Sequence, residues 1–526
     1  MKKIALPIII GILTLSPLTQ KERWRSSLQK FEEAHRIILH QYVEEIDYQK
    51  LLEAGLRGML GGLDPYSSYM DTTSYTEVKI KTSGTYGGLG FRVRKVGDYP
   101  TVFDPFEGAP AYRAGIQSGD KIIKIDNQPT KGMTLQEAVS KMRGKEGTPI
   151  TLTIKREGVE EEIEFHLIRE IIKIKNVIYG GIISRDIGYI RLASFGKNAH
   201  KEVSKMLDSL KKEGAVKFIL DLRANPGGLL QEAAKVGELF LPKGKLIVFT
   251  KGRILETNQE FYSTTPSKVE GLPLIVLVNQ GSASASEIVA GAIQDWDVGV
   301  IAGDTTFGKG SVQRIFDLRR VLFSKGIIGT NIKGGIRLTT SWWYIPSGRC
   351  IHRSDTLRYL IKNPTLGKEF ISRGELKRSL SSEGAVIPDT LFSPVMSLSL
   401  LLLNTKSPPP SFILQANGKA LFTTYASKYV REHPQLAKDF KLKEKEIKEF
   451  KQFLRKNGIK FSEEEFDSCY NVILTTLEEK IASSKWHTAG EYQKKIENDP
   501  WITQAVEILE KVKTREELFT VLNLKK

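Results

Sequence analysis

The sequence predicts a multidomain α/β protein, and three observations lead there. The chain has 526 residues, more than one hydrophobic core usually serves. Between about 173 and 345, short apolar runs such as IGYIRLASF, KFILDLR, PLIVLVN and VGVIAGD alternate with the helical runs LLQEAAKVGELFL and SEIVAGAIQDW. That alternation is the signature of an α/β core with at least some parallel strand pairing. The stretches on either side change character: Gly-rich with short alternating strands before, helical after.

Taken in order, residues 1–20 open with Met1-Lys2-Lys3 and then a run of roughly 12 apolar residues, IALPIIIGILTL. A basic start followed by an apolar core of that length reads as a signal peptide or an N-terminal anchor, and predicts export. No clean cleavage site follows in LSPLTQ. Residues 21–77 form an N-terminal helical segment, in which apolar side chains recur at helical spacing until GGLDPYSSY supplies turn residues. Residues 78–171 carry strands separated by Gly, Asn and Pro turns, with one helix whose Thr134 and Glu137 make a capping-box pair. Residues 172–405 hold the α/β core, ending in the apolar run IPDTLFSPVMSLSLLLL.

Residues 406–526 form a helical extension. Ile447, Phe450, Phe453 and Leu454 share one helix face, Asn457-Gly458 stop that helix, and Ser462 with Glu465 start the next. A packing or dimerisation module is the expectation for this tail, so self-association through terminal helices is an expected partnership.

Net charge is +17, but the lysines are dispersed along the chain. Neither zinc-finger spacing nor an RNA-binding aromatic signature accompanies them, so no nucleic-acid partner is expected. The two cysteines, Cys350 and Cys469, make no disulfide framework, and the seven histidines show no metal-ligand spacing. No metal and no cofactor are expected.

Four stretches carry chemistry. GLGF (Gly88, Leu89, Gly90, Phe91) is a glycine-rich turn leading into a strand. Its successive N–H groups can cradle a carboxylate while a peptide adds to the sheet edge. DLRANPGGLL (221–230) turns a strand into a helix, and Gly227-Gly228 let backbone N–H groups approach a developing oxyanion. VNQGSASASEI (278–288) runs from an apolar strand into a helix through three serines, any one of which could be held at the helix start.

AGDTTFGKGSVQ (302–313) nearly spells a phosphate-binding loop, but Gly310 stands where the magnesium-binding hydroxyl belongs. Its Lys309 can instead act as a base. An ordinary lysine pKa of about 10.4 must fall to about 7–8, which requires apolar burial and no carboxylate partner. Phe307 and Val312 are expected to provide that burial. Gln313, four residues on, is expected to orient the amine without re-charging it.

In combination and in this order, these four stretches resemble the C-terminal processing peptidases, or tail-specific proteases. AGIQSGDKIIKID, GYIRLASF, LTTSWWYIPSGR and VIPD are similar as well, and the resemblance covers roughly residues 25–395. It implies a crotonase/ClpP-like α/β protease core with an inserted PDZ-like domain. It implies a serine endopeptidase acting through an acyl-enzyme, with protein C-termini as substrates. Its nucleophile precedes its lysine base by 25 positions, which selects Ser284 for Lys309, with Gln313 as the orienting amide. The implied oxyanion donors are the N–H of Ala285 and of the Gly227-Gly228 turn, Gly228 preferred. Arg143, in MRGKEGT, matches a regulatory position. Tyr66 and Cys350 depart from the family's usual DPHS and PSGRS. The alternative is a non-catalytic PDZ-type peptide-binding adaptor on a protease-like core.

Overall fold

A computed structural model describes residues 20–324, 334–353, 365–392 and 409–525. The expected leader, apart from Gln20, and the apolar run from 393 to 405 lie outside these residues. Among the described residues, no helix is long and apolar enough to cross a membrane.

The described residues start with helices Gln20–Gln41 and Tyr48–Gly61, the second capped by Asp47, whose side chain accepts from the N–H groups of Gln49 and Lys50. A short strand, Ser68–Met70, follows. Helix Thr72–Ser83 then runs through position 78, where the sequence changes character, and Gly84 ends it at φ +70°.

The Gly-rich stretch folds as a small sheet in the spatial order Phe91–Val96, Tyr99–Pro105, Lys121–Ile125, Pro149–Lys155, Ile163–Ile168. Leu89, Val102, Ile122, Ile125, Leu152 and Ile154 form its core. Helix Leu135–Met142 begins with the expected box: Glu137 N–H donates to Thr134, and the Glu137 carboxylate accepts from Thr134 N–H. Thr85–Gly88 pairs with Glu170–Lys173 where the chain enters and leaves this unit.

The core contains two sheets. The first runs Val177–Ser184, Ile187–Leu192, Lys217–Asp221, Leu274–Val278, Val300–Gly303, Thr390–Leu391. Every pairing after the first hairpin is parallel, and strands buried on both faces read as continuous apolar runs. Strand Leu246–Gly252 (KLIVFT and onward), also apolar, belongs elsewhere. It joins an antiparallel sheet with Ser68–Met70, Glu260–Tyr262, Gly335–Tyr344 and Ser311–Asp317.

One face of the first sheet packs on Val203, Leu207, Val236, Ile288 and Ile293 of helices Ala199–Lys212, Leu230–Glu238 and Ala285–Asp295. The other face is covered by the end of the chain. Trp501, Ile502, Ala505, Leu509, Leu518 and Phe519 pack on Ile219, Ile275, Leu277 and Val300. The tail therefore has two roles. Its first helices bury their own core, in which Ile447, Phe450 and Leu454 are buried and Phe453 half-buried. Its last two, Pro500–Glu510 and Arg515–Val521, complete the core of the α/β unit. Between them, helix Tyr470–Asn498 breaks at Trp486 and His487, and His487 Nε2 meets the Tyr112 hydroxyl at 3.3 Å.

Candidate active site

Strand Leu274–Val278 is wholly buried, and the turn after it is pinned to the neighbouring strand end. Asn279 Oδ1 accepts from Ala224 N–H at 2.8 Å and from Gly281 N–H at 3.0 Å. Two of the three serines have structural tasks. Ser282 donates its hydroxyl to the Leu222 carbonyl, and Ser286 to the Asn225 carbonyl, both at 2.8 Å and both from buried positions. The hydroxyl of Ser284 donates to no protein acceptor among the described residues. Ser284 is half-buried, stands at the start of helix Ala285–Asp295, and has φ +55° and ψ −110°. A left-handed φ at a residue with a side chain is costly, and it marks a turn held in place by its surroundings.

The Pro-Gly-Gly turn lies against Ser284. A β-carbon on Gly227 would stand 2.7 Å from the Ala283 carbonyl oxygen and 2.8 Å from the Ala285 nitrogen. One on Gly228 would meet the Phe195 carbonyl oxygen at 2.3 Å. Glycine is required at both positions for close approach. The N–H of Gly227 donates to Asn225 Oδ1 at 2.9 Å, so it is already committed, and Gly227 acts through its small size. The N–H groups of Gly228 and Ala285 have no acceptor among the described residues, which leaves two donors of the kind an oxyanion needs.

Lys309 lies in the loop between strands Val300–Gly303 and Ser311–Asp317. Its glycines thread a narrow gap: a β-carbon on Gly308 would be 2.1 Å from the Gly384 carbonyl oxygen, and one on Gly310 would be 2.4 Å from that of Ile351. They serve backbone approach, not phosphate. The Lys309 carbonyl accepts from Trp343 Nε1 at 3.1 Å, and its Nζ lies 4.9 Å from the centroid of the Tyr66 ring.

Burial pushes the Lys309 amine down to about 8, and the positive charge of Arg337 adds to this, against Glu287 and Asp64. The expected source of burial is corrected in part. Phe307 is 46% exposed and contributes little, whereas Tyr66 covers the amine. The nearby His352 is buried and stays neutral to about 4. It accepts from Gly310 N–H at 3.2 Å and meets Trp342 edge-on.

Gln313 makes other contacts than expected. A bulge between Val312 and Gln313 shifts the strand register. The amide donates to Ser311 Oγ at 2.9 Å and to Thr339 Oγ1 at 3.3 Å, and Thr339 in turn donates to Asp64 at 3.1 Å. No hydrogen bond joins Gln313 to Lys309, or Lys309 to Ser284.

What joins the serine turn to the lysine loop is Glu287, which the motif reading did not single out. Its Oε2 accepts from the N–H of Ser284 (2.7 Å) and of Lys309 (2.9 Å). Its Oε1 accepts from Thr306 Oγ1 and Gly308 N–H, both at 2.6 Å. The spacing Ser284-x-x-Glu287 is that of a capping box, the one local signal that could have found it. Asp64 and Thr339 carry no such signal.

In the small sheet, Phe91–Val96 is the edge strand, and the loop at Leu89-Gly90 precedes it. The N–H groups of Leu89 and Gly90 have no protein acceptor among the described residues, while the Leu89 and Gly90 carbonyls accept from Ala111 and Phe106. A loop with free donors beside an open edge and helix Leu135–Met142 suits a terminal carboxylate. Arg143, at the end of that helix, pairs with Glu77 of helix Thr72–Ser83 and lies 5.1 Å from the Tyr86 ring centroid. It ties the small unit to the N-terminal segment and is not a free surface arginine.

A serine peptidase bearing a PDZ domain is the class that this fold and site define. The model of peptidase family S41 matches residues 186–357, and that of the PDZ domain residues 106–156. The N-terminal domain of the activating protease CtpB matches 14–74, and the C-terminal helical domain of PDZ-proteases matches 414–468. A carboxy-terminal-processing protease of Bartonella bacilliformis is 43% identical over 331 residues, which are 62% of this chain and 72% of that one. The carboxy-terminal processing protease CtpA of Bacillus subtilis is 34% identical over 329 residues, 62% of this chain and 67% of that one. Among solved structures, the photosystem II D1 C-terminal processing protease is similar at 24% identity and a TM-score of 0.37, over 74% of this chain and 99% of that one. The chain belongs to peptidase family S41, among its carboxy-terminal processing proteases.

Proposed function

We propose that this protein is an exported endopeptidase that cleaves protein chains near their C-termini with Ser284 as nucleophile and Lys309 as its base. The observation that carries the reading is the difference among three neighbouring serines. Ser282 and Ser286 are committed to backbone carbonyls, and Ser284 is not. Two uncommitted N–H groups accompany it, that of Ala285 in the serine turn and that of Gly228 in the Pro-Gly-Gly turn packed against it.

Neutral Lys309 takes the Ser284 proton as Oγ attacks the substrate carbonyl. The oxyanion is met by Gly228 and Ala285, the ammonium returns its proton to the leaving amine, and water releases the acyl group from Ser284 by the reverse proton path. Gly88, Leu89, Gly90 and Phe91 hold the substrate's terminal carboxylate at the sheet edge, and Arg143 couples that unit to the rest of the chain.

Export is supported by the basic start and apolar run of residues 1–20, which also suit membrane anchoring. Trp24, Leu28 and Phe31 on helix Gln20–Gln41 are each about half exposed or more, which suits self-association. Cell fractionation and sedimentation test these two points.

The test of the chemistry is Ser284→Ala and Lys309→Ala in the full chain. Each is expected to abolish cleavage and fluorophosphonate labelling while the protein remains folded by circular dichroism. Wild-type turnover in Ser284→Ala would mean that another residue is the nucleophile.

A further inference from the structure

Glu287 is wholly buried, yet no lysine, arginine or histidine lies within ion-pair distance of it among the described residues. A buried carboxylate without a counter-ion survives only if hydrogen bonds replace water around both oxygens. Here four donors do so, two on each oxygen, and they nearly fill its lone-pair capacity. Their origin is informative. A capping box uses one carboxylate bond, to the N-cap N–H. The other three donors come from residues 306–309, a different loop.

We propose that Glu287 is a positioning residue, whose carboxylate clamps the backbone of Ser284 and that of Lys309 to one oxygen and so sets the distance between hydroxyl and amine. This rests on the Ser284 and Lys309 reading. The clamp also explains how a carboxylate can sit beside a lysine base without capturing it. Its lone pairs are taken by N–H and O–H donors, and the amine extends instead toward Tyr66. A 1 Å displacement of reacting groups can cost about 10²-fold in rate, so a clamp of this kind acts on turnover more than on substrate binding.

The charged and titratable groups around the clamp are Lys309 on the loop that supplies three of the donors, Asp64 and Tyr66 from the segment after the second helix, Arg337 from strand Gly335–Tyr344, and His352 and Arg353, which meet that loop at the Gly310 N–H and the Thr306 carbonyl. The negative charge of Glu287 holds the Lys309 pKa up.

In the full chain, Glu287→Gln places an NH₂ group against N–H donors and removes the charge. The expected result is a loss in kcat of about 30- to 100-fold with KM changed less than about twofold. Its acid limb, read as fluorophosphonate labelling of Ser284 against pH, is expected at lower pH than in the wild type, a shift that loss of rigidity alone does not produce. Thr306→Val removes one donor and leaves the carboxylate. It is expected to lower kcat about three- to tenfold with the acid limb unmoved, and Thr306→Ser, which keeps the hydroxyl, to restore it. Should Glu287→Gln not fold, the two Thr306 variants decide.

Ser284→Ala is run alongside. If it keeps turnover, the nucleophile assignment fails whatever Glu287→Gln does. If it is inactive while Glu287→Gln keeps wild-type kcat and acid limb, or Thr306→Val equals Thr306→Ser, the positioning role alone is overturned.

Discussion

A β-carbon on Gly227 would lie 2.9 Å from the β-carbon of Ser284. The Pro-Gly-Gly turn and the serine turn are thus in contact through backbone, with no side chain between them. Gly227 also has φ +94°. Gly227→Ala must push the two turns apart or abandon that backbone conformation. Loss of one oxyanion donor typically costs about 10²–10³ in kcat, and a loss of that order is expected here, with KM little changed. Steady-state kinetics beside a thermal melt measures it. A variant of normal kcat would show that the turn does not shape the oxyanion site.

As the proposed base, Lys309 gives activity and stability opposite needs. Its amine has a pKa near 10.5 in an unfolded chain and about 8 in the folded one. Peptidase activity should therefore rise as pH climbs through about 8, as the amine loses its proton. Between the two values the unfolded chain binds more protons, so folding stability also rises with pH across that window, and the burial penalty is at its full size below it. Lys309→Met should be inactive yet more stable at pH 7 by about 1–3 kcal/mol. That gain should shrink toward pH 10.5. Urea unfolding at the two pH values tests the sign.

Gly90 has φ +77°, and a β-carbon there would stand 2.3 Å from that of Ala109. Gly90→Ala must distort the loop of uncommitted N–H groups that leads into the edge strand. The expected outcome is about tenfold or weaker binding of a fluorescent peptide with an apolar C-terminal residue, read by anisotropy. Unchanged affinity would place the carboxylate elsewhere.

Trp501 is buried against the core sheet, edge-on to Phe392 and beneath the guanidinium of Arg223 at 5.5 Å. Arg223 pairs with Asp499 at 2.7 Å and with Asp221 at 2.6 Å, at the base of the Pro-Gly-Gly turn. Trp501→Ala is expected to lower stability by about 3–5 kcal/mol, as large-to-small changes in cores do. Denaturant unfolding measures this, and a change within experimental error would mean the tail is not integral to the core.

Much of this was legible in the chain, for physical reasons that differ by element. The apolar runs 274–278 and 217–221 are buried on both faces, and a strand in that setting has no polar alternation to conceal it. Thr134 with Glu137, and Ser462 with Glu465, are local hydrogen-bond patterns, and both form as expected. The serine–lysine spacing of the family that the motifs resemble selects Ser284 for Lys309, and the structure commits the hydroxyls of the two neighbouring serines to backbone carbonyls.

What stayed hidden depends on distant partners. Gln313 turns to Thr339 because of a bulge that no residue announces. Strand Leu246–Gly252 looks like its parallel neighbours yet pairs antiparallel with Gly335–Tyr344. Tyr66, some 240 residues before the lysine it covers, is brought there by the pairing of Ser68–Met70 with Gly335–Arg337.

The covering of the core sheet by Trp501, Leu509 and Phe519 bears on how the enzyme matures. Translation delivers Ser284 and Lys309 roughly two hundred residues ahead of those side chains. Before they are made, Ile219, Ile275, Leu277 and Val300 lack the side chains that cover them in the folded protein, and the strands that lead into the serine turn and the lysine loop have apolar partners on one face only. Both faces of those strands are therefore covered only once residues 501–519 have joined the sheet, so the serine turn and the lysine loop gain their full support some two hundred residues after they are made.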